Sequence, residues 1–128
     1  MAYHSIEEIL QYCRAHGKKF YEAVLEDDME ERKVSREESM KQMYVMWDAM
    51  VLASTSYDGS VKSASRLAGG QGAAMEEYRK KGETLCGDYL NQVMVQALEM
   101  GESNACMKRI VAAPTAGACG VLPAVLIP

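Results

Sequence analysis

Apolar residues along this chain recur at three- and four-residue spacing and nowhere alternate with a period of two, which predicts helices and no extended sheet. Ser5 and Glu8 form an S-x-x-E capping box, in which each side chain can satisfy the other residue's free backbone N–H, so the first helix is predicted to start at about Ile6. Ile6, Ile9, Leu10 and Cys13 share one face, and after Gly17 the same phase resumes with Phe20, Tyr21, Val24 and Leu25. This reads as one buried stripe hinged at Gly17, with Cys13 a small buried hydrophobe on it. The charged run from Glu26 to Lys33 is surface, either a solvated continuation of the helix or a turn. A second box, Ser35 with Glu38, opens a helix in which Met40, Met43, Tyr44, Trp47, Met50 and Val51 keep helical spacing. That helix is expected to lie centrally in a bundle and to end in the polar cluster from Ser54 to Ser60.

From Ser63 to Ala74 small residues dominate, after which Met75 to Lys81 reads as a short charged helix ended by Gly82. Leu85 to Met100 is predicted as another helix, with Leu85, Tyr89, Val93, Ala97 and Met100 on one face, stopped by Gly101. Arg109 to Ala113 is the best strand candidate and is too short to found a sheet. No charge follows Arg109, and the sequence breaks off within the apolar run Val125, Leu126, Ile127, so it reads as a truncated portion whose tail wants burial. The expected fold class is all-α: an incomplete helical bundle with two small-residue loops of glycine, alanine and serine.

Composition narrows the function. The 128 residues, 48% of them apolar and 25% charged, amount to one globular domain. A net charge of -4 excludes the basic footprint that phosphate affinity requires, so nucleic acid is not an expected partner. No basic segment followed by an apolar one opens the chain and no long apolar stretch interrupts it, so no membrane partner is expected and the expected location is cytoplasmic. Ten methionines against one phenylalanine and one tryptophan should supply much of the core. Cys13, Cys86, Cys106 and Cys119 form no C-x-x-C pair and are expected to be reduced.

The segment Pro114-Thr115-Ala116-Gly117-Ala118-Cys119-Gly120 carries the strongest chemical signal, because glycines allow close backbone approach on either side of a cysteine. If Val121 begins a helix with Pro123 in its first turn, Cys119 sits at the positive end, where a thiolate is favoured. A buried structural thiol beside a tight turn fits the residues equally well. Lys108 and Arg109 either attract a carboxylate or are solvated, and His4 and His16 have no partner at ligand spacing.

Arg109-Ile-Val-Ala-Ala-Pro-Thr-Ala-Gly-Ala-Cys-Gly-Val-Leu-Pro-Ala-Val-Leu126 resembles the signature of the iron-sulfur L-serine dehydratases, in their alpha subunit or alpha domain. Upstream, Ser65-Arg66-Leu67-Ala68-Gly69-Gly70-Gln71 is similar to that family's S-G-L-T-G-G-D loop, departing from it at Arg66, Ala68 and Gln71. The resemblance implies that residues 1–128 are the N-terminal portion of the alpha domain, without its C-terminal half. It implies pyridoxal-independent dehydration of L-serine to pyruvate and ammonia on a 4Fe-4S cluster held by three cysteines, whose open iron acts as Lewis acid. Cys119 matches the first metal-ligand position, and that role does not transfer to Cys13, Cys86 or Cys106. Ser65, Gly69, Gly70 and Thr115 are the candidate substrate-binding residues, with a plain connecting loop and a turn cap as the alternative readings. The base that removes the alpha proton is unassigned. The implied partners are L-serine and a beta subunit or beta domain, the exposed tail adds self-association into a homo-oligomer, and the portion alone is expected to be inactive. A related L-cysteine desulfidase, and a helical interaction module in which Cys119 is incidental, are the competing readings.

Overall fold

The structure, a computed structural model, describes residues 3–128, and every regular element among them is helical. The helices are α1 (Ile6–His16), α2 (Phe20–Arg32), α3 (Arg36–Thr55), α4 (Gln71–Lys80), α5 (Asp88–Ala105) and α6 (Val121–Leu126), with one 3-10 turn at Ala116–Ala118. None of the described helices is long and apolar enough to cross a membrane. Two compact units divide the chain, Met1–Val45 and Met46–Pro128, with the boundary inside α3.

In the first unit the cap residues act where the sequence places them. Ser5 Oγ accepts the Glu8 N–H at 3.2 Å, although the Glu8 carboxylate takes the N–H of His4, one residue before the cap, at 2.8 Å. Both arms of the second box are made as predicted, Ser35 N–H to Glu38 at 2.9 Å and Glu38 N–H to Ser35 Oγ at 3.2 Å. The run from Glu26 belongs to α2, which Lys33 closes in the left-handed conformation. Gly17 is no hinge: at φ 63 it terminates α1, its N–H returning to the Cys13 carbonyl. That left-handed turn resets the helical phase, so the predicted stripe is split. Cys13 and Leu25 are buried with Ala23, while Ile6, Phe20, Tyr21 and Val24 are exposed. An ion pair of Lys18 with Glu26 at 2.5 Å, joined by the Tyr12 hydroxyl at 3.1 Å, ties α1 and its turn to α2. Burial works against the Glu26 charge, but the Lys18 hydrogen bond leads the effects that hold its carboxyl below its ordinary value.

The central role expected of α3 is also corrected. Met43, Tyr44, Val45, Met46 and Trp47 are consecutive, so they point to every side of the helix and all are exposed, whereas Met50 and Ala53 are buried. Methionine therefore contributes less to the core than composition implied: Met50 and Met100 are buried, but Met43, Met46, Met94 and Met107 are not.

The second unit is organised by α5, against which α4 and α6 both pack. This helix starts later than predicted, since Leu85 lies outside it and is 98% exposed, and it runs straight through Gly101 to Ala105. A single glycine costs a helix only about 1 kcal/mol relative to alanine, which packing on two sides outweighs. Helix α4 starts earlier than predicted, at Gln71. Arg109 to Ala113 forms no strand and runs irregularly into a cis Ala113–Pro114 bond.

With about 3.6 residues per turn, Ala97, Met100 and Asn104 share one side of α5, while Asn91, Val95, Glu99, Glu102 and Cys106 share the other. The cysteine segment docks on the first side. Asn104 Nδ2 donates to the Ala116 carbonyl at 3.1 Å, and a Cβ on Gly120 would stand 2.9 Å from the Ala97 carbonyl oxygen. Pro123 and Ala124 complete this contact, leaving Val121, Leu122, Val125 and Leu126 exposed, so the apolar tail is half covered.

The two helix-side glycines should respond oppositely to alanine. Gly101→Ala meets nothing within 4 Å and is expected to stabilise the chain by about 0.5–1 kcal/mol. Gly120→Ala must push α6 from α5 and is expected to cost about 1–3 kcal/mol. Chemical denaturation of both variants reads the two signs, and a destabilised Gly101→Ala would refute continuous helix at that position.

Candidate functional site

The small-residue loop between α3 and α4 is held from within by short polar side chains. Ser63 N–H bonds the Ala68 carbonyl at 2.9 Å, Ser63 Oγ accepts the Ala68 N–H at 3.1 Å, and the Lys62 ammonium donates to the Gly69 carbonyl. Gly69 and Gly70 stand at φ 123 and φ 90, and a Cβ on Gly69 would lie 2.3 Å from the Val61 carbonyl oxygen. Only glycine fits this pair. Arg66, which departs from a glycine of the resembled loop, sits at φ 60 and bears the steric cost of a left-handed turn. Gln71, the departure from aspartate, accepts the Gly69 N–H on its amide oxygen at 3.0 Å.

Continuous helix through Gly101 carries Glu102 onto the α4 side of α5, where it is 7% exposed. Its carboxylate accepts the consecutive N–H groups of Gly70 at 3.1 Å, Gln71 at 2.7 Å and Gly72 at 3.2 Å, together with the Tyr57 hydroxyl at 2.5 Å. The Tyr57 oxygen in turn accepts the Ala73 N–H at 3.2 Å. These are the free amides of the α4 N-terminus, where negative charge is favoured. Burial works to raise the Glu102 pKa, but the donors from Tyr57, Gln71, Gly72 and Gly70 outweigh it and hold the carboxyl below its ordinary value. Burial, reinforced by the Glu102 hydrogen bond, pushes the Tyr57 hydroxyl up to about 12. Nearby Glu99 is shifted the other way, raised by burial and by the charges of Glu76 and Glu102.

Sequence reasoning passed over Glu102 and Tyr57. A helix assumed to stop at Gly101 leaves Glu102 outside it, yet Asn91, Val95 and Glu102 continue one face once the helix is extended.

The nominated residues divide between the two sides of α5. Ser65, exposed, shares a hydroxyl contact with Ser63 at 3.2 Å, and Gly69 and Gly70 belong to the Glu102 side. Their N–H groups are engaged by Gln71 and Glu102. Thr115 and Cys119 belong to the opposite side. Thr115 is exposed and its hydroxyl does not cap the following turn. Helix α6 begins at Val121 as expected, but the Cys119 thiol is 2% exposed and lies 3.7 Å from the Met100 carbonyl oxygen, a thiol donating to the backbone. Burial pushes its pKa up, so the buried-thiol alternative describes Cys119 in this chain. A shallow pocket beside Tyr57 and Glu102, lined also by Asp58, Ser103, Cys106 and Lys108, includes none of the nominated residues.

A four-iron cluster needs three converging thiolates. Among the described residues no three histidine, cysteine or acidic side chains are arranged to hold a metal ion, and Cys119 is buried and turned inward, so these residues alone do not fit that group.

A family model described as the serine dehydratase alpha chain matches residues 15–128. The chain is 34% identical over 121 residues to a protein of Peptoniphilus asaccharolyticus named "L-serine dehydratase, alpha chain", an alignment covering 94% of this chain and 41% of that one. It is 26% identical over 124 residues to a Bacillus subtilis (strain 168) protein named "Probable L-serine dehydratase, alpha chain", covering 97% and 41%. The chain thus spans 41% of the length of these relatives. No solved structure matches it at a significant level.

Because the folded pKa of Glu102 is lower than its unfolded one, its stabilisation is complete above the ordinary carboxylate range and is lost as pH falls through the folded value. Glu102→Gln is therefore expected to cost about 2–3 kcal/mol at neutral pH and progressively less in acid. Urea unfolding of both proteins across that range checks it; a difference independent of pH would show that the carboxylate charge is not what holds α4.

Proposed function

The chain belongs to the serine dehydratase alpha chain family, and from that premise we propose that it is part of an iron-sulfur L-serine dehydratase, a lyase that eliminates water from L-serine to give pyruvate and ammonia. The observation that supports this reading is the family match over residues 15–128, which takes in both the loop of Ser65 to Gln71 and the segment of Thr115 and Cys119. Both attach to the last turns of α5 from its two sides, so one helix fixes their separation. In the proposal the whole enzyme includes chain beyond these residues and a beta subunit or beta domain.

Within the complete protein, Ser65 and Thr115 contribute hydroxyls to bind L-serine. Gly69 and Gly70 shape the loop by close backbone approach, their N–H groups being spent internally. Glu102 does not serve as the base for the alpha proton, since four donors occupy its carboxylate and keep it a weak proton acceptor. Cys119 would be the one residue here to hold the 4Fe-4S cluster, its thiol now engaged with the Met100 carbonyl, and the other ligands would come from outside residues 1–128. The exposed apolar residues of α3 and α6 are covered in a homo-oligomer or by the rest of the enzyme. The protein works in the cytoplasm.

The test is made in the full-length protein. Cys119→Ala is expected to abolish iron binding and turnover with helix content preserved. Cys13→Ala and Cys106→Ala should keep iron and cost stability of about 1 kcal/mol through lost packing. Iron analysis and pyruvate release from L-serine read the outcome: full iron and activity in Cys119→Ala would remove that cysteine from the site, and a wild-type protein inert toward L-serine would remove the proposed reaction.

A further inference from the structure

We infer that Glu102 is a positioning residue for substrate binding: by gripping both stems of the loop that carries Ser65, it fixes that loop against α5. The inference rests on the serine dehydratase reading above and concerns how its proposed serine-binding loop is held.

Tyr57 stands at the entry of the loop and Gly70, Gln71 and Gly72 at its exit, and one carboxylate binds all four. The Tyr57 hydroxyl also takes the Ala73 N–H, so entry and exit are linked a second time through the same oxygen. Between the stems the loop is exposed at Ser65, Arg66 and Leu67 and holds no regular structure. Its internal bonds, from Ser63 to Ala68 and from Lys62 to Gly69, shape the loop but reach neither α5 nor α4. Outside these bonds the loop meets the rest of the unit through the Cys106 thiol, 3.8 Å from the Val61 carbonyl, and the close approach of Gly59 to Ala73, so Glu102, with four strong bonds to both stems, supplies most of its fixed position. A charged group buried to 7% exposure is retained here because both carboxylate oxygens have donors, three on Oε2 and one on Oε1, and removing it would leave three consecutive amides and a hydroxyl unpaired. Glu102 touches no proposed reacting atom; it acts through the backbone it holds.

The test uses the full-length, cluster-containing enzyme with L-serine. Glu102→Ala is expected to raise KM about tenfold or more, since displacements near 1 Å can cost that much, while iron content stays and kcat holds within about twofold. Added acetate, a carboxylate small enough for the space the deleted side chain leaves, should lower that KM again by pairing with the vacated donors. Tyr57→Phe keeps the carboxylate on its three amides and serves if Glu102→Ala does not fold. It should raise KM about threefold and speed amide hydrogen exchange at Gly70 to Gly72. Turnover with wild-type KM in these variants, a lower KM, or loss of iron and kcat together would overturn the positioning role while leaving the reaction standing. A wild-type enzyme that does not dehydrate L-serine overturns the reaction and this inference with it.

Discussion

A buried carboxylate is stable only where its charge is met, and in the second unit of this chain that requirement organises the surroundings of Glu102. Three consecutive backbone amides and a phenol supply four donors to one group. The arrangement solves two problems together. The α4 N-terminus gains the acceptor that its first residues lack, since Gly70 brings no side chain to cap it. The loop before it, poor in apolar residues to bury, is held by hydrogen bonds instead.

The same helix that delivers Glu102 separates the two chemically suggestive segments. Glycine-rich backbone gathers on one side of α5 and the cysteine segment on the other, and both end at its C-terminal turns. In the proposed enzyme, therefore, anything that tilts α5 moves both segments at once. The close approach of Gly120 to Ala97 and of Gly72 to Glu99 leaves little slack on either side.

The helical class, the Ser35 and Glu38 box and the Ser5 arm of the first box were legible, because these bonds act locally across three residues, whereas Glu8 reaches one residue further back, to His4. What was not legible depended on distant partners. Glycine stops a helix at Gly17, where the backbone turns left-handed, and fails to stop one at Gly101, where contacts on two sides carry the helix onward. The residue type is the same in both places and the tertiary setting decides. The resembled loop was legible as a motif, yet its tether to Glu102 was not, since the partners lie 30 to 32 residues apart. The thiol of Cys119 shows the same limit: position before α6 allowed a thiolate and a buried thiol equally, and only the fold shows the sulfur buried against Met100, where burial pushes its pKa up. Arg66 could be read only as a departure until its φ of 60 showed a left-handed residue at a place where glycine would carry no strain.

The span between Gly70 and Glu102 also sets an order of events during synthesis. A ribosome adding about 5–20 residues per second takes about 2–6 s to cover the intervening 32 residues. For that interval, and while the last turns of α5 clear the exit tunnel, the emerging α4 has no acceptor for its leading amides and the loop before it has no anchor. The nascent chain therefore carries an open, glycine-rich segment until α5 arrives, and this stretch of the molecule is completed from its C-terminal side backward.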